Sequence, residues 1–320
     1  MGWFGIAPSL VYVAAATRQT RSFTMQGRPR RSVLYMPGSN ERALEKAKTI
    51  PADALILDLE DAVAPDAKPL ARDRVCAAVE SGGYGGREIV IRINALETPW
   101  GTDDLLAACD AAPDAILVPK VVQPGEVISV AKILQGLQAP EKIRLWAMME
   151  TPMAILNART IAATAVYPEN RLCCLVMGTN DLLKESRARA LHNRFAVVPW
   201  LAMTIAAARA YRLDILDGVY NDFKDEKGLR EECQHGRTLG MDGKTLIHPS
   251  QVAPCNEIFS PTEEEVDWSR KIIAAFARPE NAKKGVIVVE GHMVERLHLG
   301  MAERTVGIAE SIGEMEAACC

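Results

Sequence analysis

Several features that would mark specialised classes of protein are missing from this chain of 320 residues. The eight cysteines form no CxxC motif and no cysteine–histidine pairing at zinc spacing, which argues against a structural zinc site. We therefore predict free, buried thiols, such as Cys173 and Cys174, in a reducing compartment. No P-loop, HExxH or GxSxG motif is present. No apolar stretch approaches the ~20 residues that cross a bilayer, and the net charge of -4 gives no reason to expect nucleic-acid or anionic-membrane partners.

Acidic residues are missing from the first forty positions, which nevertheless contain five arginines. This composition is typical of a mitochondrial transit peptide. The alternative is an over-long start, with Met25 as the true initiator of a bacterial protein. We expect residues 1 to 28 to lie outside the fold. The predicted location is the cytoplasm of a bacterium, or the mitochondrial matrix if this segment is a targeting signal.

Eight short apolar runs, each ending in a polar residue, alternate with segments of helical spacing. Parallel strands that are buried on both faces read as continuous apolar runs of this kind. The pattern predicts a (β/α)8 TIM barrel over residues 29 to 260, whose strands end at the active site. The runs span residues 32–36, 54–61, 89–94, 115–120, 144–150, 173–181, 214–220 and 244–249.

The last sixty residues follow the eighth strand and form an appendage. SPTEEEVDW opens a helix, because a Ser or Thr cap and acids in the first turn suit the helix dipole. GVIVVEGHMVE and a final helix follow. We assign residues 261 to 320 to this helical C-terminal segment.

Acidic side chains dominate the predicted strand ends. Asp58, Glu60 and Asp61 close the second strand, Glu150 closes the fifth, and Asp181 follows the sixth. Carboxylates gathered in one barrel mouth repel one another unless a cation lies between them. Oxygen ligands favour a hard cation, Mg²⁺ or Mn²⁺, and we predict that Glu150 and Asp181 bind it. A helix cap is the alternative for any one acid, and the better one for Asp61 alone.

Basic residues lie at or near the same strand ends, and their roles are open to more than one interpretation. Arg92 lies inside an apolar strand, where it forms either a structural ion pair or a bidentate contact with a substrate oxygen. Arg42 and Lys46 are four residues apart on one helix face, which is most often a solvated face. His248 ends the eighth strand, where a core histidine is the default. Lys120 is the one well-placed candidate for a Schiff base.

The strand ends together resemble a known family. RSVLYMPGSN, LILDLEDAV with K-x-x-AR downstream, VIRIN, LVPKV, METPMAILN, GTNDL, GKTLIHPSQ and GHMVE are similar to the citrate lyase β-subunit-like branch of the HpcH/HpaI aldolases. That branch includes L-malyl-CoA/β-methylmalyl-CoA lyases, citramalyl-CoA lyases and a malyl-CoA thioesterase. The similarity runs from about residue 30 to 312.

This resemblance implies roles for individual residues. It makes Glu150 and Asp181 the Mg²⁺ ligands and places Arg92 on the substrate beside the metal. It also changes the preferred interpretation of Arg42 and Lys46, from a solvated helix face to residues that contact coenzyme A. The full set implied to hold acyl-CoA is Tyr35, Arg42, Lys46, Ile247 and His248.

The resemblance also implies an oligomer and reveals two departures. In the family the C-terminal segment is a lid over the active site of a neighbouring subunit in a homotrimer or hexamer. It carries a catalytic Asp in a G-x-M-[VI]-D motif, and Glu295 occupies that position in this chain. Asn180 stands where many relatives have a Glu before the metal-binding Asp.

The expected activity is an Mg²⁺-dependent lyase that cleaves a 3-hydroxyacyl-CoA to acetyl- or propionyl-CoA and a small 2-oxo acid, glyoxylate or pyruvate. Glu295 would be the general acid and Arg92 would stabilise the oxyanion. A (3S)-malyl-CoA thioesterase on the same scaffold is the alternative, because hydrolysis needs an activated water and no carbon-proton donor. A non-catalytic CoA-binding protein and a Schiff-base aldolase are further alternatives.

Overall fold

Eight parallel strands close into a barrel in the computed structural model, which describes residues 28–189 and 194–317. The strands follow chain order around the barrel, and β8 pairs with β1, so the (β/α)8 prediction is confirmed. Each of the eight predicted runs overlaps a strand. The strands are β1 (Ser32–Pro37), β2 (Ala54–Asp58), β3 (Glu88–Arg92), β4 (Ala115–Val118), β5 (Arg144–Met149), β6 (Leu172–Met177), β7 (Asp214–Asp217) and β8 (Gly243–Leu246).

Helices surround the barrel and extend past it at the C-terminus. Their bounds are α1 (Glu41–Ala47), α2 (Lys68–Ser81), α3 (Gly101–Ala111), α4 (Pro124–Gly136), α5 (Pro152–Leu156), α6 (Ala158–Ala163), α7 (Thr179–Ser186), α8 (Val198–Ala210), α9 (Glu226–Leu239), α10 (Val252–Phe259), α11 (Glu263–Phe276) and α12 (Arg296–Ala317). Between α11 and α12 lies a hairpin of β9 (Val286–Val289) and β10 (His292–Glu295). The predicted cap of α11 is confirmed as a capping box between Thr262 and Glu265.

Two apolar layers account for the unbroken hydrophobic runs. One layer fills the barrel itself and includes Ile56, Leu117 and Trp146, all fully buried. The other lies between the strands and the helices and includes Leu55 and Ile116. Each fully buried side chain of this size contributes on the order of 2 kcal/mol through the hydrophobic effect. A strand with partners on both faces has no position for exposed polar residues.

A charged plug closes the barrel at the amino ends of its strands. Arg30 donates two hydrogen bonds to the Glu88 carboxylate, at 2.7 and 2.8 Å, and also pairs with Asp214. Its guanidinium lies 4.9 Å from the ring centre of Trp146. The opposite end, where the strands finish, is therefore the open one.

The C-terminal segment packs under this plugged end. Arg304 of α12 forms ion pairs with Asp214 and Asp242, which lie where β7 and β8 begin. Apolar side chains of α11, the hairpin and α12 form their own small core, including Phe276, Ile287 and Val294. The segment contains the two predicted helices and, between them, a hairpin that the sequence pattern did not predict, and it lies at the face of its own barrel opposite the strand ends. Its action as a lid on a neighbouring subunit stays a prediction.

The remaining predictions concern the N-terminal segment, the cysteines and membrane-spanning helices. The prediction for Met25 and that for residues 1–27 of the targeting segment fall outside the described residues, whereas Arg28 is described and donates a hydrogen bond to the Gly86 carbonyl oxygen. Six described cysteines, including Cys173 and Cys174, are free thiols. Within the described ranges, no helix combines the length and the apolar character needed to span a bilayer.

Barrel closure gives a stability prediction at Gly243. A Cβ at this position would lie 1.8 Å from the carbonyl oxygen of Arg30 and 2.6 Å from that of Arg31. Because both contacts are backbone atoms, Gly243→Ala should lower the free energy of unfolding by about 3 kcal/mol or more. Urea titration measures this, with Gly136→Ala as the control, since no atom lies within 4 Å of its added Cβ. Equal stability of the two variants would contradict the close packing at β8.

Candidate active site

A cavity of about 340 Å³ opens at the carboxyl ends of the strands. Residues at or just after the ends of β1, β2, β3, β5, β6, β7 and β8 contribute to it, because parallel strands all end at the same rim. Its lining residues are Tyr35, Asp58, Asp61, Ala62, Arg92, Met148, Glu150, Met177, Gly178, Thr179, Asn180, Asp181, Val219, Thr245 and Ile247.

Arg92 is buried at the wall of this cavity, with 7% of its surface exposed. Its Nε and Nη2 each donate to a carboxylate oxygen of Asp58 at 2.6 Å, and Nη1 lies 2.9 Å from Glu60. The Tyr35 ring centre is 4.8 Å from the guanidinium carbon. The structural ion pair is therefore present. Since Arg92 also lines the cavity, the two interpretations of this residue are compatible.

Three of the acids at the strand ends have basic side chains beside them, so their mutual repulsion is offset without a metal ion. Arg92 contacts both Asp58 and Glu60, and the ammonium of Lys120 lies 3.1 Å from Glu60. Asp61 is largely exposed, and its oxygen is 3.8 Å from Arg92. These three acids thus share two basic partners at one side of the rim.

Among the described residues, no basic side chain forms an ion pair with Glu150. It is 2% exposed, and its Oε1 accepts a hydrogen bond from the Lys120 backbone N–H at 2.6 Å. Burial, helped by the charges of Glu60 and Asp181, raises the pKa of Glu150 to about 7. Gly178 leaves room for the carboxylate, since a Cβ on Gly178 would lie 2.3 Å from the Glu150 Cβ and 2.8 Å from its Oε2.

Asp181 lies in the first turn of α7 at the same cavity and is partly buried. The described residues contain no cluster of three or more His, Cys, Asp or Glu side chains arranged to hold a metal. Two carboxylates are enough for Mg²⁺, which keeps several waters and usually takes one or two protein carboxylates. Burial and, to a smaller extent, nearby carboxylates raise the pKa of Glu150, and a divalent cation between Glu150 and Asp181 would offset both effects, so the donor set fits this ion.

Lys120 does not fit a Schiff-base role. Burial alone would lower its pKa, but the Glu60 carboxylate outweighs that effect and raises the pKa above its ordinary value. Its ammonium stays protonated and paired, whereas a nucleophilic lysine must lose its proton.

The residues expected to hold acyl-CoA lie on one side of the rim. Tyr35 and Ile247 line the cavity, and Arg42 and Lys46 are exposed on α1. His248 is exposed rather than a core histidine, and its ring stacks on Phe223 with centres 4.7 Å apart. Closure of β8 onto β1 brings these distant segments together. Their binding role remains a prediction.

Glu295 ends β10 and is partly buried, with its backbone N–H donating to Nδ1 of His298. It is not among the residues that line the cavity of its own chain. A catalytic role for Glu295 therefore requires a second subunit.

Sequence reasoning missed a buried ionic cluster behind the cavity. Lys244 in β8 is fully buried and pairs with Asp217 of β7 and Glu232 of α9. The sequence signal was weak, because Lys244 is the first residue of the run KTLIHP, whereas Arg92 has apolar neighbours on both sides.

Comparisons with known proteins agree with this geometry. The family model "HpcH/HpaI aldolase/citrate lyase" matches residues 31–249. A relative named (3S)-malyl-CoA thioesterase, from Cereibacter sphaeroides, is 49% identical over 90% of this chain and 97% of its own. The human protein named citramalyl-CoA lyase, mitochondrial, is 31% identical over 89% of this chain and 87% of its own.

A solved structure extends the likeness to three dimensions. The protein CitE from Mycobacterium tuberculosis, in complex with magnesium, acetoacetate and coenzyme A, matches with a TM-score of 0.68. The identity is 28%, over 88% of this chain and 98% of that one. The chain belongs to the HpcH/HpaI aldolase/citrate lyase family.

The raised pKa of Glu150 predicts how stability depends on pH in the metal-free protein. Between the unfolded pKa of ~4.3 and the folded value of about 7, the folded state binds the extra proton, so stability falls as pH rises. Glu150→Gln cannot ionise. The free energy of unfolding of Glu150→Gln should therefore exceed that of the wild type by an amount that grows with pH, to on the order of 3 kcal/mol above pH ~8.

Urea unfolding with excess EDTA at several pH values measures this difference. The control is Glu169→Gln, which changes an exposed carboxylate. The same pH slope for wild type and Glu150→Gln would show that Glu150 ionises normally.

Proposed function

We propose that this protein is an Mg²⁺-dependent thioesterase that hydrolyses (3S)-malyl-CoA to malate and free coenzyme A. The observation that carries the proposal is the set of relatives with this name, which are 48–49% identical over 90–91% of this chain. The relatives named lyases are more distant, at 31% identity. The lyase expected from the sequence therefore becomes the second candidate.

In the proposed site Glu150 and Asp181 hold the metal. A bound Mg²⁺ supplies a Lewis acid for the substrate's oxygen atoms. The neighbouring structure whose ligands are magnesium, acetoacetate and coenzyme A supports this assignment. Gly178 keeps the Glu150 side chain in place, since no larger residue fits beside it.

Arg92 is the proposed anion contact. In hydrolysis, a water oxygen adds to the thioester carbon, and negative charge develops on the former carbonyl oxygen. The C–S bond then breaks. One proton of the attacking water ends on the sulfur, which leaves as the thiol of coenzyme A, and the other is lost to solvent as malate is released with a free carboxylate. Nη1 of Arg92, oriented by the bidentate contact with Asp58, can stabilise either this oxyanion or the malyl carboxylate. Asp58 is thereby a positioning residue.

Tyr35, Ile247 and His248 are proposed to contact the acyl-CoA, and Arg42 and Lys46 its phosphates. Neither Arg42 nor Lys46 forms a side-chain ion pair within the described part of the chain. Both are therefore available for an anionic ligand. The helix α1 directly follows β1, and β1 is the neighbour of β8, the strand that precedes Ile247 and His248.

A second subunit is proposed to deliver Glu295, in a homotrimer or hexamer. Four apolar side chains on and beside the hairpin support such a contact, since they are 59–73% exposed: Val288, Met293, Leu297 and Met301. Exposed apolar groups gathered on one element are typical of a surface that another protein covers. We place the protein in the cytoplasm of a bacterium, since the relatives that are 48–49% identical are bacterial.

Glu295 separates the two candidate activities. In a lyase, a residue at this position must exchange a proton with a carbon atom, and a glutamate reaches one methylene further than the aspartate of the family motif. Displacement of a catalytic group by about 1 Å costs on the order of a hundredfold in rate. A thioesterase has no such carbon-proton transfer, so it tolerates the longer side chain.

The product assay is the decisive test. Purified protein with malyl-CoA and Mg²⁺ should release coenzyme A thiol and malate in equal amounts, with little glyoxylate or acetyl-CoA. Asp181→Ala should lower turnover by at least a hundredfold. Glu295→Asp should shift products toward glyoxylate.

A matched variant on α7 serves as the control for Asp181→Ala. Glu185→Ala removes an exposed acid from the same helix and should retain wild-type turnover. Glyoxylate and acetyl-CoA as the main wild-type products would instead establish the lyase. Full activity in excess EDTA would refute the metal.

The coenzyme A contacts predict a change in KM. Arg42→Ala and Lys46→Ala should each raise the KM for malyl-CoA about tenfold and change kcat less than twofold, because they touch the carrier and not the reacting carbon. Glu45→Ala, on the same helix, is the control. An unchanged KM in both basic variants would mean that this helix face is merely solvated.

A further inference from the structure

The buried ionic cluster behind the cavity consists of two cations and two anions. Lys244 Nζ lies 3.1 Å from Asp217 and 2.5 Å from Glu232. Arg194 donates to both carboxylate oxygens of Asp217, at 2.5 and 2.8 Å, and its Nε is 3.5 Å from Glu232. Lys244 and Asp217 are fully buried. The charges balance, and the pairing is specific enough to favour one arrangement of the strand ends.

The cluster forms hydrogen bonds with the backbone where β7 ends. Lys244 Nζ donates to the Gly218 carbonyl oxygen at 2.5 Å, and the Gly218 N–H donates to Asp217 Oδ1 at 2.8 Å. The Thr245 hydroxyl donates to the Asp217 carbonyl oxygen at 2.9 Å. Gly218 is thus held through both its N–H and its carbonyl oxygen.

Gly218 in turn lies against the first residue of α7. A Cβ on Gly218 would be 2.4 Å from Thr179 Oγ1 and 2.9 Å from its Cγ2. The φ of Gly218 is outside the left-handed region, so space and not backbone conformation requires glycine. Thr179 is 8% exposed and stands two residues before Asp181.

A second link joins the same two segments. The side-chain amides of Asn180 and Asn221 exchange hydrogen bonds of 3.1 and 2.8 Å. Asn180 adjoins Asp181, and Asn221 follows β7 by four residues. The start of α7 is therefore fastened to the end of β7 at two points.

We infer that the Lys244–Asp217–Arg194–Glu232 cluster and the Asn180–Asn221 amide pair together form a positioning device, which fixes Asp181 relative to Glu150 through Gly218 and the start of α7. This inference rests on the proposed role of Asp181 as a metal ligand. Glu150 belongs to the barrel wall, whereas Asp181 lies on a helix whose place depends on β7. The distance between the two carboxylates is consequently set by a cluster that does not touch the metal.

The test measures the affinity of each variant for Mn²⁺ in the absence of substrate, with electron paramagnetic resonance as the readout of binding. The midpoint of thermal unfolding is recorded for each variant to show that it is folded. Gly218→Ala leaves the ionic cluster intact but pushes Thr179, so Mn²⁺ affinity should fall at least tenfold in folded protein. Thr179→Ala removes the two closest colliding atoms and leaves only the Met177 carbonyl oxygen, at 3.0 Å from the added Cβ, among the three nearest contacts. The double variant Thr179→Ala/Gly218→Ala should therefore recover affinity to within threefold of Thr179→Ala. Gly125→Ala, with open space at its Cβ, should match the wild type.

Two further variants complete the design. Asn221→Ala breaks the amide pair at an exposed position and should weaken Mn²⁺ binding at least threefold, which keeps the inference testable if Gly218→Ala does not fold. Wild-type affinity in either folded Gly218→Ala or Asn221→Ala overturns the positioning role. Asp181→Ala separates the metal assignment from the positioning role. If it too binds Mn²⁺ like the wild type, the metal assignment itself is refuted. If it loses Mn²⁺ while Gly218→Ala keeps it, only the positioning inference falls.

Discussion

Closure of β8 onto β1 is the constraint on which the candidate site depends. The parallel pairing Val33↔Thr245 and its neighbours joins strands more than two hundred residues apart. Once the ring is closed, every strand must end at the same rim, so residues from Tyr35 to Ile247 face one cavity. The same closure forces the backbone at Gly243 against Arg30 and leaves no room for a side chain. The arrangement of the cavity at the carboxyl ends of the strands thus depends on backbone contacts at the amino end of β8.

Charge is distributed unevenly around that rim. On the side of β2, β3 and β4, the basic groups of Arg92 and Lys120 neutralise Asp58 and Glu60. On the side of β5 and β6, the buried Glu150 accepts a hydrogen bond from a backbone N–H, and burial and nearby carboxylates raise its pKa despite the charge of Arg92. A divalent cation would therefore gain the most free energy by binding on the side of β5 and β6, where the carboxylate of Glu150 has no ion-pair partner among the described residues. The compensated side offers a rigid guanidinium for an anion, so the two halves of the rim suit the two ends of a metal-chelating, carboxylate-bearing substrate.

One barrel can support either C–C cleavage or thioester hydrolysis, because both need the metal pair and an anion contact. What differs is the proton carrier. Glu295 lies on a hairpin that packs under its own barrel with α12, at the face opposite the strand ends. Any part it plays must be taken between subunits, so the choice of reaction depends on assembly as well as on sequence. In the proposed site, by contrast, both metal ligands belong to a single chain, and Lys244 donates to the Gly218 carbonyl oxygen next to the start of α7.

The order of apolar runs was enough to predict all eight strands and the barrel, because parallel strands buried on both faces leave a local signature. It also predicted that Glu150, Asp181 and Arg92 share one rim, since strand ends converge in any such barrel. The partners of those side chains were not predictable. Whether Arg92 pairs with Asp58, and whether Lys244 is buried against Asp217, depends on groups far apart in the chain. Local sequence determines which elements form, and only the closed barrel decides which charges meet, because burial makes each pairing depend on distance and desolvation together.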